Sequence, residues 1–398
     1  MNIWIFNHYA QGPTLPGGTR HYDLSKELMK QGHNITIFAA GFHYTLLKEQ
    51  VDYKNRDHKI EDINGIKFIW VKTYPYIRNN WKRMINIISY AIKLNFLIPK
   101  LNLDKPDMII GSTVHPFAAL IASKFAQKYD IPFIFEIRDL WPQTFIDMHL
   151  WKPNSLISRF FAFIEKTTVK RSSKIIVLSP LTIDYLQKKY AYPEKNILLL
   201  PNGINQNFIQ NAGQDFKEYI NITYVGGIDK VHGLEFLVDL AKELQNEKIH
   251  FNLYGDGKNR STLETRVREK RLTNVFFHGS IPKNEVPHVL QKANLLFVST
   301  SNVLYGSENK LYEYMAAAKP IIAATSGEHN NPIKDIFCGV TLDRSNIEKS
   351  AHELSKFIKK NKDDFIKIGL NGQKYILEHR TIETLSKKLD DFLTQKAT

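Results

Sequence analysis

Short apolar runs rich in Ile, Val and Phe alternate with amphipathic segments along nearly the whole chain, and the alternation occurs twice. "IWIFN" (3–7) reads as a strand and a Gly/Pro-rich loop (11–18) follows it. A helix over about 19–31 has Leu24, Leu28 and Met29 on one face, and "NITIFAA" (34–40) is the next strand. Further strands fall at 66–71, 107–112, 131–137 and 174–179, with helical periodicity near 115–129, 153–171 and 180–190. "NILLLPNGIN" (196–205) closes the series on an Asn-Gly turn, and the polar stretch 206–219 reads as a linker. A second series starts at "NITYVGGI" (221–228), with strands at 250–255, 274–279 and 293–300 and helices near 233–246, 258–271 and 283–292. Strand–helix–strand alternation predicts parallel sheets covered by helices on both faces. Two such series in 398 residues predict two doubly wound domains joined near 205, with a ligand cleft expected between them.

The composition, 43% apolar and 24% charged, is that of a folded soluble protein. One cysteine excludes a disulfide framework and a Cys-based metal site. The N-terminus lacks the basic start and long apolar run of a secretory signal. The most apolar stretch, 84–101, is too interrupted by polar residues and Pro99 to read as a membrane span. Residues 1–205 hold 27 Lys and Arg against 16 acidic residues, and the remainder hold 27 against 24. A basic first half is either solubility charge or a match to an anionic partner.

Several strand ends carry chemistry. Gly17-Gly18 lies between the first strand and the first helix, either as a turn or as a close approach to an anion. Arg138-Asp139 ends a strand, so Asp139 either faces a ligand or caps the following helix. His115 ends another strand and is either structural or functional. Gly226 and Gly227, with Lys230 and His232 in the loop after them and Gly233 opening a helix, have the form of a second anion site. In "YGSENKLYEYMAAAKP", Gly306 and Ser307 turn the chain, and the N–H groups of Asn309, Lys310 and Leu311 open a helix suited to a diphosphate. Glu313 follows one turn on, where a carboxylate can accept from a vicinal diol such as a ribose, and Glu308 reads as a dipole partner only. The segment 76–97 places Trp81, Met84, Ile85, Ile88, Ile92 and Phe96 near helical spacing, with Arg78, Lys82 and Arg83 at one end. It is either an interfacial membrane helix or a surface helix packing its apolar face on the domain.

The order Gly-Gly loop, "RDLWP", "VLSP", "PNGIN", "YVGGI…HGLE", "YGDG", "FHGSIP" and "LYGSENKLYEYMAAAKPIIA" resembles the retaining GT-B glycosyltransferases of family 4, in the branch that builds capsule and O-antigen units with amino sugars. The resemblance covers nearly the whole chain. It implies a GT-B α/β fold: a Rossmann-like N-domain for the acceptor (1–205) and a Rossmann-like C-domain for a nucleotide sugar (206–379), their parallel sheets facing an interdomain cleft. It also implies a last helix, about 380–398, returning to the N-domain. Glu313 matches the last Glu of the family's Glu-x7-Glu motif, whose first Glu falls at Tyr305. The family's diphosphate-clamping Arg and Lys fall at Gly227 and His232, so Lys230 or Lys310 would take over. Gly17, Gly18, Gly226, Ser307, Asn309 and Leu311 would also meet the donor, and Asp139, His115 and Arg138 would serve the reacting end.

The expectation is a retaining transfer from UDP-sugar, without metal or cofactor, to a lipid-linked saccharide acceptor. It would take place in the cytoplasm, peripherally on the inner face of the plasma membrane, with an anionic membrane surface as a further partner. The alternatives are a GT-B nucleotide-sugar 2-epimerase and a non-catalytic nucleotide-sugar-binding scaffold. No nucleic-acid-binding module is recognisable.

Overall fold

The computed structural model describes every residue except 16–17, 79, 205, 215–217, 301–304, 326–331 and 396–398. The chain forms two compact units. One comprises Met1–Gly203, Leu304–Ser307 and Ile382–Thr398, and the other Ile204–Val303 and Glu308–Thr381. The division falls at 203/204, and the short segment 304–307 belongs with the first unit, which no sequence pattern announces.

The first unit contains strands β1 (Asn2–Phe6), β2 (Asn34–Ala40), β3 (Phe42–His43), β4 (Lys48–Glu49), β5 (His58–Ile63), β6 (Ile66–Val71), β7 (Met108–Thr113), β8 (Phe133–Ile137), β9 (Lys174–Val177) and β10 (Ile197–Leu199). Eight of them make one sheet in the order β10-β9-β8-β7-β1-β2-β6-β5, and β3 and β4 form a separate hairpin. Helices α1 (Arg20–Lys30), α2 (Trp81–Leu97), α3 (Pro116–Tyr129), α4 (Gln143–Asp147), α5 (Leu156–Arg171) and α6 (Pro180–Tyr190) connect the strands. Their starts have local causes: Ser155 and Ser179 accept from the N–H groups of Ser158 and Leu181, and Pro116 and Pro180 open α3 and α6. The sheet is parallel except at its edge, where β5 runs antiparallel to β6. Asn64 and Gly65 turn that hairpin with φ of 54° and 86°, the left-handed pair a tight two-residue turn requires. This corrects the expectation of an all-parallel arrangement. One face of the sheet packs on α2, α3, α5 and α6 through Tyr90, Leu94, Phe125, Val169 and Leu186. The other packs on α1 through Leu24 and Leu28, and on the last helix through Leu385, Leu389 and Phe392.

The second unit has six parallel strands, β11 (Ile220–Val225), β12 (Ile249–Tyr254), β13 (Val275–Gly279), β14 (Leu295–Thr300), β15 (Ile321–Thr325) and β16 (Gly339–Leu342), in the order β13-β12-β11-β14-β15-β16. Its helices are α7 (Glu235–Glu243), α8 (Arg260–Glu269), α9 (Val286–Lys292), α10 (Asn309–Ala316), α11 (Ile333–Ile336), α12 (Ile347–Asn361) and α13 (Phe365–His379). Leu237, Leu263 and Leu354 bring α7, α8 and α12 to one face. Leu290, Met315, Ile333 and Ile376 bring α9, α10, α11 and α13 to the other. The final helix, α14 (Ile382–Thr394), lies against α1 in the first unit, where the Lys174 ammonium donates to the carbonyls of Phe392 and Gln395 near its end.

Both sheets reverse direction once. In the first unit the chain builds outward from β1 to β2 and β6, then restarts on the other side with β7. In the second it builds from β11 to β13 and restarts with β14. Each reversal opens a crevice at the carboxyl ends of the two central strands.

Candidate active site

In the second unit, the residues at the crevice are those after β11 and at the start of α10. Gly226 and Gly227 follow β11 directly. The loop after β12 presses against them so closely that a Cβ on Gly255 would collide with the Gly226 carbonyl. Lys230 to His232 form one short 3-10 turn, and Gly233 ends it in the left-handed conformation, φ 53°. Gly233 was expected to open the next helix, but α7 begins two residues later. α10 is tied to the end of β11 by Tyr314, whose hydroxyl accepts from Val225 N–H at 2.9 Å and donates to its C=O at 3.1 Å.

That anchorage sets Lys310 across the glycine loop. A Cβ on Gly226 would strike its side chain. The ammonium donates to the Tyr224 hydroxyl at 2.9 Å and lies 3.3 Å from His232 Nε2. The Tyr224 hydroxyl in turn donates to the Gly227 carbonyl at 2.7 Å. Burial pushes the Lys310 pKa down to about 8, against the pull of Glu313 and Asp229. Burial, reinforced by Lys310, lowers His232 as well. Glu313 is half-buried; burial raises its carboxyl while Lys283 and Lys310 hold it down. The helical ladder of α10 starts at Tyr312 N–H to Glu308 C=O, so the N–H groups of Asn309, Lys310 and Leu311 belong to the first turn. The arrangement is a partly desolvated cation beside a helix N-terminus and a close-packed glycine loop, the chemistry of an anion site. Lys230 is exposed and Lys310 is central.

In the first unit, the crevice between β1 and β7 holds His8 and His115. His8 Nδ1 lies 2.7 Å from His115 Nε2, and the His8 ring stacks on Tyr90 at 4.5 Å. Burial, followed by the charge of Arg83, pushes His115 down to about 3, so the imidazole is neutral at any working pH. Arg83 itself turns to Tyr9, with Nε donating to the phenol at 3.4 Å. Asp139, past the end of β8, is exposed. It is not a helix cap, because α4 starts after Pro142. Its backbone and that of Arg138 are pinned by Thr113: Arg138 N–H donates to the Thr113 hydroxyl at 3.0 Å, and Asp139 N–H to the Thr113 carbonyl at 3.2 Å. A Cβ on Gly18 would lie 3.8 Å from the Arg138 guanidinium. Gly17 falls outside the described residues.

Five buried residues that the motifs did not flag, Glu136, Arg20, His21, Ser112 and Asn7, organise this end of the sheet. Glu136 on β8 is 2% exposed and meets Arg20 Nε at 2.9 Å, His21 Nε2 at 2.8 Å and the Ser112 hydroxyl at 2.5 Å. The Asn7 amide donates to His21 Nδ1 at 2.7 Å, which fixes the proton on Nε2, toward Glu136. Burial would raise Glu136, but His21 and Arg20 hold it well below the usual carboxylate range. Arg20 also donates to the carbonyls of Leu200 and Pro201, fixing the "PNGIN" loop. A lone acid inside the apolar run "FIFEI" was the available signal, since a buried charge demands partners.

The segment 305–307 lies in the first unit. The Tyr305 hydroxyl donates to Asp147 at 2.7 Å, its carbonyl accepts from Thr182, and Ser307 Oγ accepts from Asn202 N–H at 3.2 Å. Tyr305, at the position of the missing Glu, therefore has its phenol engaged by α4.

Residues 17–208 match the family described as Glycosyltransferase Family 4, and residues 205–375 match Glycosyl transferases group 1. An uncharacterised glycosyltransferase of Methanocaldococcus jannaschii is 22% identical over 362 residues, covering 82% of this chain and 91% of its own. WcaI of Escherichia coli K12, named as a colanic acid biosynthesis glycosyl transferase, is 22% identical over 308 residues, 73% of this chain and 74% of its own. Among solved structures, sucrose-phosphate synthase of Thermosynechococcus elongatus superimposes with a TM-score of 0.73 at 16% identity, over 98% of both chains. Anabaena HepE, solved with UDP and glucose, gives 0.67 at 14% identity over 99% of both. The chain is a glycosyltransferase of the GT-B fold, with a family 4 domain followed by a group 1 domain.

Proposed function

We propose that the chain transfers an N-acetylated amino or deoxy-amino sugar from a UDP-sugar, with retention of configuration, to a polyprenyl-diphosphate-linked saccharide in capsule or O-antigen assembly. The observation that carries the donor assignment is Lys310, a half-buried ammonium against Tyr224 and His232 at the N-terminus of α10. In this reading the diphosphate lies on the first turn of α10, where Lys310 meets the charge that develops as UDP departs. Glu313 accepts from the ribose hydroxyls. The acceptor hydroxyl attacks from the face the nucleotide leaves and gives its proton to a phosphate oxygen. Asp139 and neutral His115 position the reacting sugar, and no metal or other cofactor takes part. UDP and glucose in HepE, and the colanic acid name of WcaI, support the nucleotide and the polysaccharide setting.

The test is a mass-spectrometric screen of UDP- and GDP-sugars with a short prenyl-diphosphate-linked saccharide, followed by NMR of the new anomeric centre. A product from a UDP-sugar with retained configuration is expected, with undiminished turnover in EDTA. Isomerisation of the donor without acceptor would assign an epimerase, and donor binding without any turnover would assign a scaffold.

A further inference from the structure

The helical layer formed by α2, α3 and α5 presents large apolar side chains outward as well as inward. On α2 the inward residues are Asn86, Ile87, Tyr90 and Leu94. The stripe of Trp81, Ile88, Ile92 and Phe96 is exposed, Trp81 by 68% and Phe96 by 64%. Met84 and Ile85 are partly buried, so of the two readings of this segment, packing of the whole stripe on the domain does not hold for Trp81, Ile88, Ile92 and Phe96; the inward packing uses the other face. On α5, Phe161, Ile164 and Val169 turn inward, while Leu156, Phe160 and Phe163 are exposed, Leu156 by 84%. α3 packs between the two helices. Phe117 of α3 reaches Phe160 at 6.3 Å, and Met148 and Leu150, just ahead of α5, are exposed too. Adjacent elements that leave this much apolar surface in water mark a site of contact.

Charge selects the occupant. Residues 76–103, 116–129 and 148–171 contain twelve Lys and Arg and one acidic residue, Glu165. That acid is 4% exposed and is taken up by Tyr185, Tyr190 and Lys189. Arg78, Lys152, Arg159, Lys166 and Lys170 are exposed beside the apolar stripes. On α5 the stripe runs Leu156, Phe160, Phe163 and then Lys166 and Lys170, apolar first and basic after. Apolar residues flanked by long cations, with no exposed acid on these segments, fit anionic headgroups above acyl chains. No helix among the described residues is long and apolar enough to cross a membrane, so the contact lies in its surface plane.

We propose that the outward faces of α2 and α5 form one docking surface for an anionic phospholipid bilayer. The surface stands on its own residues, whichever sugar the enzyme transfers. The full chain would be sedimented with phosphatidylglycerol/phosphatidylcholine vesicles and with phosphatidylcholine vesicles. Leu156→Ser/Phe160→Ser/Phe163→Ser, Trp81→Ser/Phe96→Ser and Lys166→Glu/Lys170→Glu would be compared, each with a thermal melt. The wild type is expected on anionic vesicles only, with binding weakened by raising salt from about 0.1 to about 0.5 M. Each variant should lose about tenfold or more in apparent affinity while melting as the wild type does. Should a variant melt early, the Trp81 contribution, read as the difference in fluorescence between the wild type and Trp81→Phe among the five tryptophans, still decides, by shifting to the blue on anionic vesicles alone. Absence of wild-type binding, or equal binding by all variants, overturns the proposal. So does a wild-type dimer that these changes convert to monomer, which would make the surface a joint between copies. UDP titrations on the same variants should be unchanged, so the two readings fail separately.

Discussion

Lys310 carries a charge that its surroundings make costly, with Tyr224, His232 and the Gly226 backbone around it. A ligand anion would relieve that cost, so nucleotide binding should follow the ammonium. With the pKa held at about 8, affinity for UDP is expected to fall as pH rises from 7 through about 8, well before an ordinary lysine would lose its proton. Titration calorimetry at stepped pH measures this, and an affinity constant to pH 9.5 would contradict it. Glu313→Ala should reduce the preference for UDP over its 2′,3′-dideoxy analogue to near unity, measured by competition binding. His115→Ala and Asp139→Asn should lower turnover with UDP affinity kept; wild-type turnover in both would remove them from the reacting end. His115 was legible as a strand-end histidine. Its neutrality was not, because that depends on burial and on Arg83, which is distant in sequence.

The elements that set these residues hold together by a few buried polar contacts. Tyr314→Phe leaves Val225 N–H without its partner, at a cost of about 1–3 kcal/mol, and loosens the helix that carries Lys310. Weaker UDP binding together with a lower melting temperature is expected. Arg20→Ala leaves the buried Glu136 with only His21 and the Ser112 hydroxyl and takes a donor from the "PNGIN" loop, which should cost about 3–5 kcal/mol. Because Glu136 is depressed in the fold, its contribution is complete above the unfolded carboxylate value of about 4.3 and is lost as pH falls through the lower folded value. Glu136→Gln should therefore flatten the acid limb of a stability–pH curve while lowering its neutral plateau. Periodicity and turn residues placed most strands and helices, since each is a local property. The antiparallel β5 escaped because its strand is polar on one side, although Asn64-Gly65 marked the turn.

At the scale of the whole chain, the two alternating series showed the two sheets, and the motifs in sequence order showed the family. The return of α14 and the membership of 304–307 in the first unit were illegible to local pattern, because they depend on which surfaces the folded core leaves uncovered. α14 buries Leu385, Leu389, Phe392 and Leu393. At about 1.5–3 kcal/mol each, their loss approaches the whole stability of a domain. A chain ending at Thr381 is expected to aggregate or to unfold without cooperativity, as read by calorimetry and sedimentation. A uridine diphosphate site at the start of α10 would be read by calorimetric titration of UDP into the wild type and into Lys310→Met at pH 7. Saturable 1:1 binding is expected, weakened about tenfold or more in the variant by the loss of one charge-assisted contact. No saturable binding to the wild type, or equal affinity in both, would contradict it.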